Sequence, residues 1–207
     1  MPTTPEFVSR GGLKLHHALQ TFAISPAGKT CADLGCSTGG FVDCLLQNGA
    51  VRVYAVDTGY GVLEWKLRSD SRVITLERTN AMHVQLPEAV RLVTIDVAWT
   101  RQRFILPAAA RLFGKSEIAQ VPNDSAIGAD SATGDIISLV KPHYEADKSW
   151  LRKGVLPAER LDEVIAMVRA ECEALGFAWL AQTMSPILGS GGNAELLAHL
   201  RPPKQVP

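Results

Sequence analysis

The stretch Asp33-Leu34-Gly35-Cys36-Ser37-Thr38-Gly39-Gly40-Phe41 decides the fold of this chain. It begins where an apolar run ends in an acidic residue and Gly35, which predicts a buried strand entering a tight glycine turn. Gly39 and Gly40 then open an amphipathic segment from Phe41 to Leu46. Glycines let a ligand approach the main chain, and the free N–H groups of a helix start favour an anionic group. Strand, glycine loop and helix in this order therefore predict a nucleotide-binding crevice.

The glycine spacing indicates which kind of nucleotide this loop suits. In the G-x-G-x-x-G loop of a dinucleotide site, the third glycine brings helix and strand together around a pyrophosphate. The G-x-x-x-G-G loop found here is wider and suits a ligand with a carboxylate, such as S-adenosylmethionine. Asp57 ends a β-rich run about twenty residues further on, where a carboxylate can accept both ribose hydroxyls. The alternative is that glycine turns and strand-end aspartates occur together by chance, as they do in many α/β domains.

Composition predicts one soluble globular domain over residues 1-207. Hydrophobic residues make up 46% of the chain and charged residues 20%, which is ordinary for such a domain. No apolar run approaches the roughly 20 residues that span a bilayer, and Met1 to Arg10 lacks the apolar core of a secretory signal. We therefore expect a cytoplasmic protein with no membrane partner. Residues 1-6 are short and polar, and we expect a frayed tail.

Charge and cysteine content argue against two further classes. The 21 basic and 21 acidic residues cancel, so binding to nucleic acid would need a local basic patch. No metal site is expected, because the cysteines form no C-x-x-C pair and have no accompanying histidine cluster. They are predicted to be small buried residues of a reduced compartment, with a reactive thiol as the alternative: Cys31, Cys36, Cys44 and Cys172.

The order of apolar segments predicts the fold class, which is α/β. A helix is predicted from Ser9 to about Phe22, and β and α segments alternate after Gly28. Strands are predicted near 30-35, 51-57, 72-77, 91-97, 135-141, 177-184 and 194-200, with helices near 39-48, 61-69, 101-113 and 157-175. Because parallel neighbours need helical crossovers, this alternation predicts a doubly wound, mostly parallel, seven-stranded Rossmann-like sheet.

Two segments depart from that alternation. The last two strands are joined by 185-193 without room for a helix, so they are predicted to form a C-terminal antiparallel hairpin. By analogy of fold, that layout is expected of an S-adenosylmethionine-dependent methyltransferase. Residues 114-134 are polar and aperiodic, and we expect a long loop there, as a lid or a disordered segment.

Several charged residues are predicted to meet at one crevice, because ligands of doubly wound sheets lie outside the carboxyl ends of the strands. Asp33 and Asp57 are placed beside the cofactor, and Asp96 and Lys141 end two further strands. Glu195 is predicted inside the otherwise apolar last strand, which costs stability unless it is paired. Each has an ordinary alternative: a strand-end Asp caps a helix, a lysine is solvated, and Glu195 faces water on an edge strand.

A family resemblance rests on motifs that occur in order along 8-113 and 135-201. They are Val8-Ser9-Arg10-Gly11-Gly12-Leu13-Lys14-Leu15, the stretch from Asp33 to Phe41, Tyr54-Ala55-Val56-Asp57, Glu77-Arg78-Thr79-Asn80, Thr94-Ile95-Asp96-Val97, Leu139-Val140-Lys141-Pro142 and Gly191-Gly192-Asn193-Ala194-Glu195. Together they resemble the TlyA (haemolysin A) family of FtsJ-like ribosomal RNA 2′-O-methyltransferases.

The resemblance implies a catalytic tetrad of Lys14, Asp96, Lys141 and Glu195, acting with S-adenosyl-L-methionine on RNA. Lys141 is the predicted proton acceptor, Lys14 and Asp96 tune it, and Glu195 orients the substrate or a lysine. A lysine becomes a base only when its pKa falls, which desolvation and a nearby cation promote. Asp57 is implied to bind the ribose and Asn80 to lie near the adenine. The full implied cofactor set is Asp33, Gly35, Cys36, Ser37, Thr38, Gly39, Gly40, Phe41, Asp57, Asn80 and Asp96.

Other features depart from the family pattern. Its members usually carry an N-terminal S4-like RNA-binding domain, whereas this chain starts almost at the methyltransferase core. We therefore expect that a separate RNA-binding partner or the assembled ribosomal RNA supplies docking contacts, or that the substrate differs. Trp99 is predicted either to stack on a base or to pack in the core. Arg10 and Arg101, with Arg78 and Arg103, are candidates for a phosphate-binding rim or for solvated side chains.

Three functional hypotheses follow, and the complete tetrad favours the first. It is an S-adenosylmethionine-dependent RNA 2′-O-methyltransferase that acts on ribosomal RNA without metal. The second is a catalytically weak RNA- or ribosome-binding factor that keeps the cofactor pocket for stability. The third is a membrane-active haemolysin, which no apolar span or basic amphipathic helix supports. The sequence does not identify the target nucleotide, the ribosomal subunit or the oligomeric state.

Overall fold

The computed structural model describes residues 6–114 and 134–203. The predicted frayed tail and the predicted long loop therefore lie outside the described residues, apart from Glu6, Gly114 and Gly134 at their ends. In the described ranges, no helix is long and apolar enough to cross a membrane.

Seven strands and six α-helices make up the described fold. The strands are β1 (Thr30–Leu34), β2 (Arg52–Val56), β3 (Val73–Leu76), β4 (Leu92–Ile95), β5 (Asp135–Val140), β6 (Ala178–Met184) and β7 (Leu196–Arg201). The helices are α1 (Gly11–Thr21), α2 (Gly40–Gln47), α3 (Trp65–Arg68), α4 (Gln102–Ala110), α5 (Pro142–Glu145) and α6 (Leu161–Ala174). The predicted doubly wound α/β class is confirmed.

The strands form one mixed sheet in the order β3-β2-β1-β4-β5-β7-β6. Strands β1 to β5 are parallel, and β7 runs antiparallel to both of its neighbours. The predicted C-terminal antiparallel hairpin is thus confirmed, with β7 inside the sheet and β6 at its edge. The chain winds outward from β1 to β3 and returns to place β4 on the other side of β1. This reversal is the topological switch point at which doubly wound sheets bind ligands.

Three details of the predicted elements are wrong. The helix predicted near 61-69 is the single turn Trp65–Arg68, and α5 was not predicted at all. A helix of four residues shows no hydrophobic periodicity, so pattern analysis has little to detect. Glu195 lies just before β7 and not inside it, and only 3% of the residue is exposed. The alternative in which it faces water on an edge strand is wrong as well.

Alternate residues of each strand belong to two separate hydrophobic cores, one on each face of the sheet. On one face, Ala32 and Leu34 pack with residues of α4 and α6. On the other, Cys31 packs with residues of α1 and α2. This alternation is what a sheet buried on both faces requires, because successive side chains of a strand point to opposite sides.

Gly35 allows the two central strands to end in close contact. Its φ angle is +88°, and a Cβ atom there would lie 2.6 Å from the carbonyl oxygen of Asp96. Only glycine meets both conditions, because side chains strain a backbone in the left-handed region and this neighbour is main chain. The turn after β1 and the residue after β4 therefore form one edge of the crevice.

A second close contact positions the N-terminal helix. A Cβ atom on Gly40 would lie 2.3 Å from the Ser9 hydroxyl oxygen and 2.8 Å from the Gly12 nitrogen. The main-chain N–H of Val8 donates to the Asp43 carboxylate of α2 at 2.9 Å. The starts of α1 and α2 consequently meet, and α1 extends over the same end of the sheet as the glycine loop.

The contact at Gly35 predicts a larger penalty for substitution than its φ angle alone would produce. Gly35→Ala is expected to lower the free energy of unfolding well beyond the roughly 1–2 kcal/mol of left-handed strain. Gly28→Ala is the matched control, because Gly28 has a φ of +70° and open space where a Cβ would lie. Urea unfolding of both variants measures the difference, and equal losses would show that the contact with Asp96 is unimportant.

Candidate active site

Two salt bridges stand at the carboxyl edge of the sheet. The Lys14 ammonium lies 2.5 Å from the Glu195 carboxylate, and the Lys141 ammonium lies 2.6 Å from that of Asp96. Lys141 also donates to the carbonyl oxygen of Val97 at 3.2 Å. The lysine side chains are only 12% and 15% exposed. The alternative of solvated lysines is therefore wrong, and all four tetrad positions are engaged in ion pairs.

Two cavities adjoin this cluster and share Gly35, Ser37 and Asp96. The first, of about 370 Å³, is bounded by the glycine loop, Lys14 and the loop before β7. The second, of about 390 Å³, is bounded by Asp57, Asn80 and Trp99. They lie side by side at the switch point, and each has a volume typical of small-molecule sites.

Asp57 is fixed in orientation by the main chain. One carboxylate oxygen accepts from the Ser37 N–H at 2.8 Å, and the other accepts from the Gly59 N–H at 2.7 Å. Each oxygen keeps a second lone pair for a ligand, because a carboxylate oxygen accepts more than one hydrogen bond. Asn80 is held in a similar way, since its side-chain oxygen accepts from the Met82 N–H at 2.9 Å.

Asp33 is fully buried at the wall of the first cavity. The Thr94 hydroxyl donates to one of its oxygens at 2.7 Å, and the other oxygen has no hydrogen-bond partner. Burial raises the pKa of Asp33 to about 8, against the lowering effect of the Thr94 hydrogen bond, and nearby Asp96 and Asp57 add to the rise. Asp33 therefore keeps its proton, and a cationic group placed beside the unpartnered oxygen would favour the ionised carboxylate, which can accept a hydrogen bond.

The predicted glycine-loop residues take different positions. Those that line the first cavity are Gly35, Cys36, Ser37, Thr38, Gly40 and Phe41. Gly39 does not line it. A Cβ atom there would lie 2.3 Å from a methyl group of Leu67 and 2.7 Å from one of Leu63, so Gly39 instead allows the loop to pack on the segment around α3.

The chain matches a known protein family. A family model described as FtsJ-like methyltransferase matches residues 7–201. The chain belongs to the FtsJ-like methyltransferase family.

Individual relatives support this assignment. The chain is 40% identical over 202 residues to the 16S/23S rRNA (cytidine-2′-O)-methyltransferase TlyA of Mycobacterium tuberculosis, covering 94% of this chain and 68% of that protein. It is 34% identical over 204 residues to Hemolysin A of Brachyspira hyodysenteriae, covering 94% of this chain and 76% of that protein. The solved structure of a Lactococcus lactis protein superposes with a TM-score of 0.84 at 35% identity, covering 98% of this chain and 92% of that one.

A third cavity of this FtsJ-like chain was not predicted from the sequence. It measures about 640 Å³ and adjoins the other two, because it shares Trp99 with the second and Ser190 with the first. Trp99 is 81% exposed, so its alternative as a core residue is wrong. Its ring lies 4.9 Å from that of Tyr144. The remaining polar and charged residues of the wall are Arg101, His143, Lys148, Lys153 and Asn193.

A buried carboxyl group secures the segment that carries Trp99. Glu145 of α5 accepts from the N–H of Gln102, the first residue of α4, at 2.8 Å. Burial raises the pKa of Glu145 to about 7, although this hydrogen bond and nearby Arg101 act in the opposite direction. The start of α4 is thereby tied to α5, which follows Lys141. The sequence held no pattern for this contact, because the two residues are distant along the chain.

The four predicted arginines separate into two pairs. Arg10 lines the first cavity and Arg101 lines the third. Arg78 lies over the ring of Tyr60, whereas Arg103 pairs with Glu171 at 3.3 Å. Only the first pair is therefore placed at the candidate site.

The cysteines are all free and buried. Burial raises the pKa of Cys31 and that of Cys172 to about 12, which opposes formation of a reactive thiolate. Their prediction as buried small residues is confirmed. Among the residues that the structure describes, no group of three or more His, Cys, Asp and Glu side chains is arranged to hold a metal ion.

The buried Asp33 predicts a specific dependence of stability on pH. Its pKa is raised above the unfolded value, so the folded state retains a proton that the unfolded state loses, and stability falls as pH rises from about 4 to 8. Between pH 5 and pH 7, the free energy of unfolding is expected to fall by about 2–3 kcal/mol more in the wild type than in Asp33→Asn. Chemical unfolding at both pH values measures it. Exposed Asp162 provides the control Asp162→Asn, and an identical pH response in the two variants would refute the assignment.

Proposed function

We propose that the chain is an S-adenosylmethionine-dependent RNA 2′-O-methyltransferase that acts on ribosomal RNA in the cytoplasm. The observation that carries the proposal is the pair of salt bridges, Lys14–Glu195 and Lys141–Asp96, beside a joined pair of cavities at the switch point. The name of the Mycobacterium relative supports the choice of ribosomal RNA and of the 2′-oxygen. We also propose that RNA docking uses contacts from a separate partner or from the assembled RNA.

The two joined cavities fit S-adenosylmethionine by the chemistry of their walls. We propose that Asp57, fixed by two main-chain N–H groups, accepts the ribose hydroxyls, and that Asn80 stands near the adenine. At the other end, the unpartnered oxygen of Asp33 suits the ammonium of the methionine part. Bound there, the cofactor supplies an electrophilic methyl group on a cationic sulfur. The glycine-loop residues Gly35, Cys36, Ser37, Thr38, Gly40 and Phe41 line the space between, while Gly39 shapes the loop from behind.

The tetrad is proposed to hold the ribose hydroxyl. A hydroxyl is a poor nucleophile, so its oxygen must be oriented toward the methyl group and its proton must leave. Lys141 is restrained by Asp96 and by the Val97 carbonyl, which fixes the position of its nitrogen. Lys14 is restrained in the same manner by Glu195. Lys141 as proton acceptor stays a prediction, because an ammonium engaged in a salt bridge has no lone pair until one of its protons has left.

The third cavity is proposed to receive the target nucleotide. Exposed Trp99 offers a stacking face, and Arg10 and Arg101 stand at the first and third cavities as candidate phosphate contacts. Aromatic faces with nearby cations are the usual means of binding single-stranded nucleic acid. The third cavity shares Trp99 with the second cavity and Ser190 with the first, so a nucleotide bound there lies next to the proposed cofactor space.

Transfer of labelled methyl from S-adenosylmethionine to ribosomal RNA, free and in ribosomal subunits, tests the proposal. The wild-type protein is expected to leave label in alkali-resistant 2′-O-methyl nucleotides. Lys141→Ala and Asp96→Ala are expected to lower the rate by about 100-fold or more, the lower range for a lost acid–base group. Lys66→Ala is the control, because Lys66 pairs with Asp43 of α2, outside the tetrad.

Cofactor binding separates the possible outcomes of that assay. Lys141→Ala is expected to keep its affinity for S-adenosylmethionine in calorimetry, since Lys141 lines neither of the first two cavities. Cofactor binding without label in any RNA would reject the ribosomal assignment and favour an RNA-binding factor. Full activity of Lys141→Ala would reject the tetrad.

Stacking on Trp99 predicts a measurable loss of RNA affinity. Trp99→Ala is expected to weaken binding of a single-stranded ribosomal RNA fragment by about 1–3 kcal/mol, whereas Trp99→Phe retains part of it. Trp65 is the matched control, because it is 72% exposed on α3 and lies outside the three cavities. Fluorescence anisotropy at fixed salt measures the affinities, and equal effects of Trp99→Ala and Trp65→Ala would exclude stacking at Trp99.

A further inference from the structure

His143 lines the third cavity and lies within electrostatic reach of Lys141 and Glu195, one member of each salt bridge. It follows Lys141 by two residues, in the single turn of α5, and its ring centroid lies 4.1 Å from that of Tyr144. Only 8% of the residue is exposed, and it lines the cavity together with Trp99. A buried histidine in such a wall faces a ligand or packs as an apolar ring, and its hydrogen bonds decide between these roles.

One ring nitrogen of His143 is left without a partner. The Nδ1 atom is buried and makes no hydrogen bond in the structure. Buried polar atoms are almost always satisfied, so an unpartnered ring nitrogen on a residue that lines a cavity indicates a ligand that completes it or a strained site. The neighbouring amide of Asn193 does not fill the role, because it donates to the carbonyls of Gly154 and Ser190 and accepts from the Leu156 N–H.

The charges around His143 determine its protonation state. Burial lowers the pKa of His143, Lys141 lowers it further, and Glu195 opposes both. Lys141 and Glu195 are themselves paired with Asp96 and Lys14. The same cavity is also lined by the cations Arg101, Lys148 and Lys153. The ring is consequently neutral at neutral pH, with one nitrogen that donates and one that accepts a hydrogen bond.

We propose that His143 is a substrate-contacting residue whose neutral ring hydrogen-bonds the target nucleotide in the third cavity. The inference rests on the proposed function, because it takes a ribonucleotide as the occupant. A 2′-hydroxyl and the edge of a base both offer a donor and an acceptor, which matches the neutral ring. Protonation removes the acceptor and places a second cation beside Lys141, so nucleotide binding is lost as pH falls through the pKa of His143.

Two variants separate a hydrogen-bonding role from a packing role. His143→Gln keeps a donor and an acceptor but does not titrate in this range, and His143→Phe keeps a ring without hydrogen bonds. His83→Gln is the control, because His83 is exposed and lies outside the cavity. Thermal unfolding of each variant establishes that it is folded, and the Kd for S-adenosylhomocysteine is expected to be unchanged in all three.

The test measures the Kd for a single-stranded ribosomal RNA fragment, with S-adenosylhomocysteine present, from pH 5 to pH 8. At pH 7.5, His143→Phe is expected to weaken binding by roughly five- to tenfold, the effect of one hydrogen bond. His143→Gln is expected to bind within about threefold of the wild type there and to bind more tightly than the wild type near pH 5. The ratio of the wild-type Kd to the His143→Gln Kd should therefore rise as pH falls, while the ratio to His83→Gln stays flat.

The outcomes distinguish this inference from the proposed function. A ratio for His143→Gln that stays flat with pH, or wild-type affinity in His143→Phe, would overturn the role of His143. The assay measures RNA binding and requires no methyl transfer. The role of His143 is therefore tested even if the protein does not methylate this RNA. Where methylation is observed, the acidic limb of the pH profile of kcat/KM is expected to weaken in His143→Gln, with KM carrying the change.

Discussion

Two lysine side chains are withdrawn from water at the carboxyl edge of the sheet, and each is compensated by one carboxylate. Removing one partner of such a pair costs about 3–5 kcal/mol, because the remaining charge is left buried and unpaired. Lys14 lies on the first helix, whereas Glu195 lies just before the last strand, 181 residues away. This pair therefore joins the first helix to the start of the last strand. It forms one side of the crevice, and the ends of the central strands form the other.

The second pair depends on the main chain at the switch point. Gly35 lets the turn after β1 lie against the carbonyl of Asp96, and the carbonyl of the next residue, Val97, accepts from Lys141. A larger residue in the turn would displace the strand end that carries both the carboxylate and this carbonyl. The contact between Gly35 and the Asp96 carbonyl therefore fixes the glycine loop relative to the groups that are proposed to hold the hydroxyl. A shift of the loop would also shift those groups.

The sequence predicted what depends on local pattern. Alternation of apolar segments was enough for the doubly wound sheet, and the ordered motifs were enough to place Lys14, Asp96, Lys141 and Glu195 together. It failed where long-range packing decides. The third cavity forms because Trp99, Tyr144 and the loop before β7 meet from distant parts of the chain. The orphan oxygen of Asp33 is likewise invisible in a motif, because it depends on Thr94 satisfying only the other oxygen.

The distribution of basic residues explains how a chain with no net charge could bind RNA, the proposed substrate. Within the site, each lysine of the tetrad is neutralised by its carboxylate, so the tetrad itself offers little net attraction for phosphate. The cations available for this attraction are Arg10 at the first cavity and Arg101, Lys148 and Lys153 in the wall of the third cavity, which the exposed Trp99 also lines. We therefore propose a separate role for each group of residues. Rim cations retain the RNA backbone, aromatic faces and His143 engage the nucleotide, and the paired tetrad is left to orient one hydroxyl.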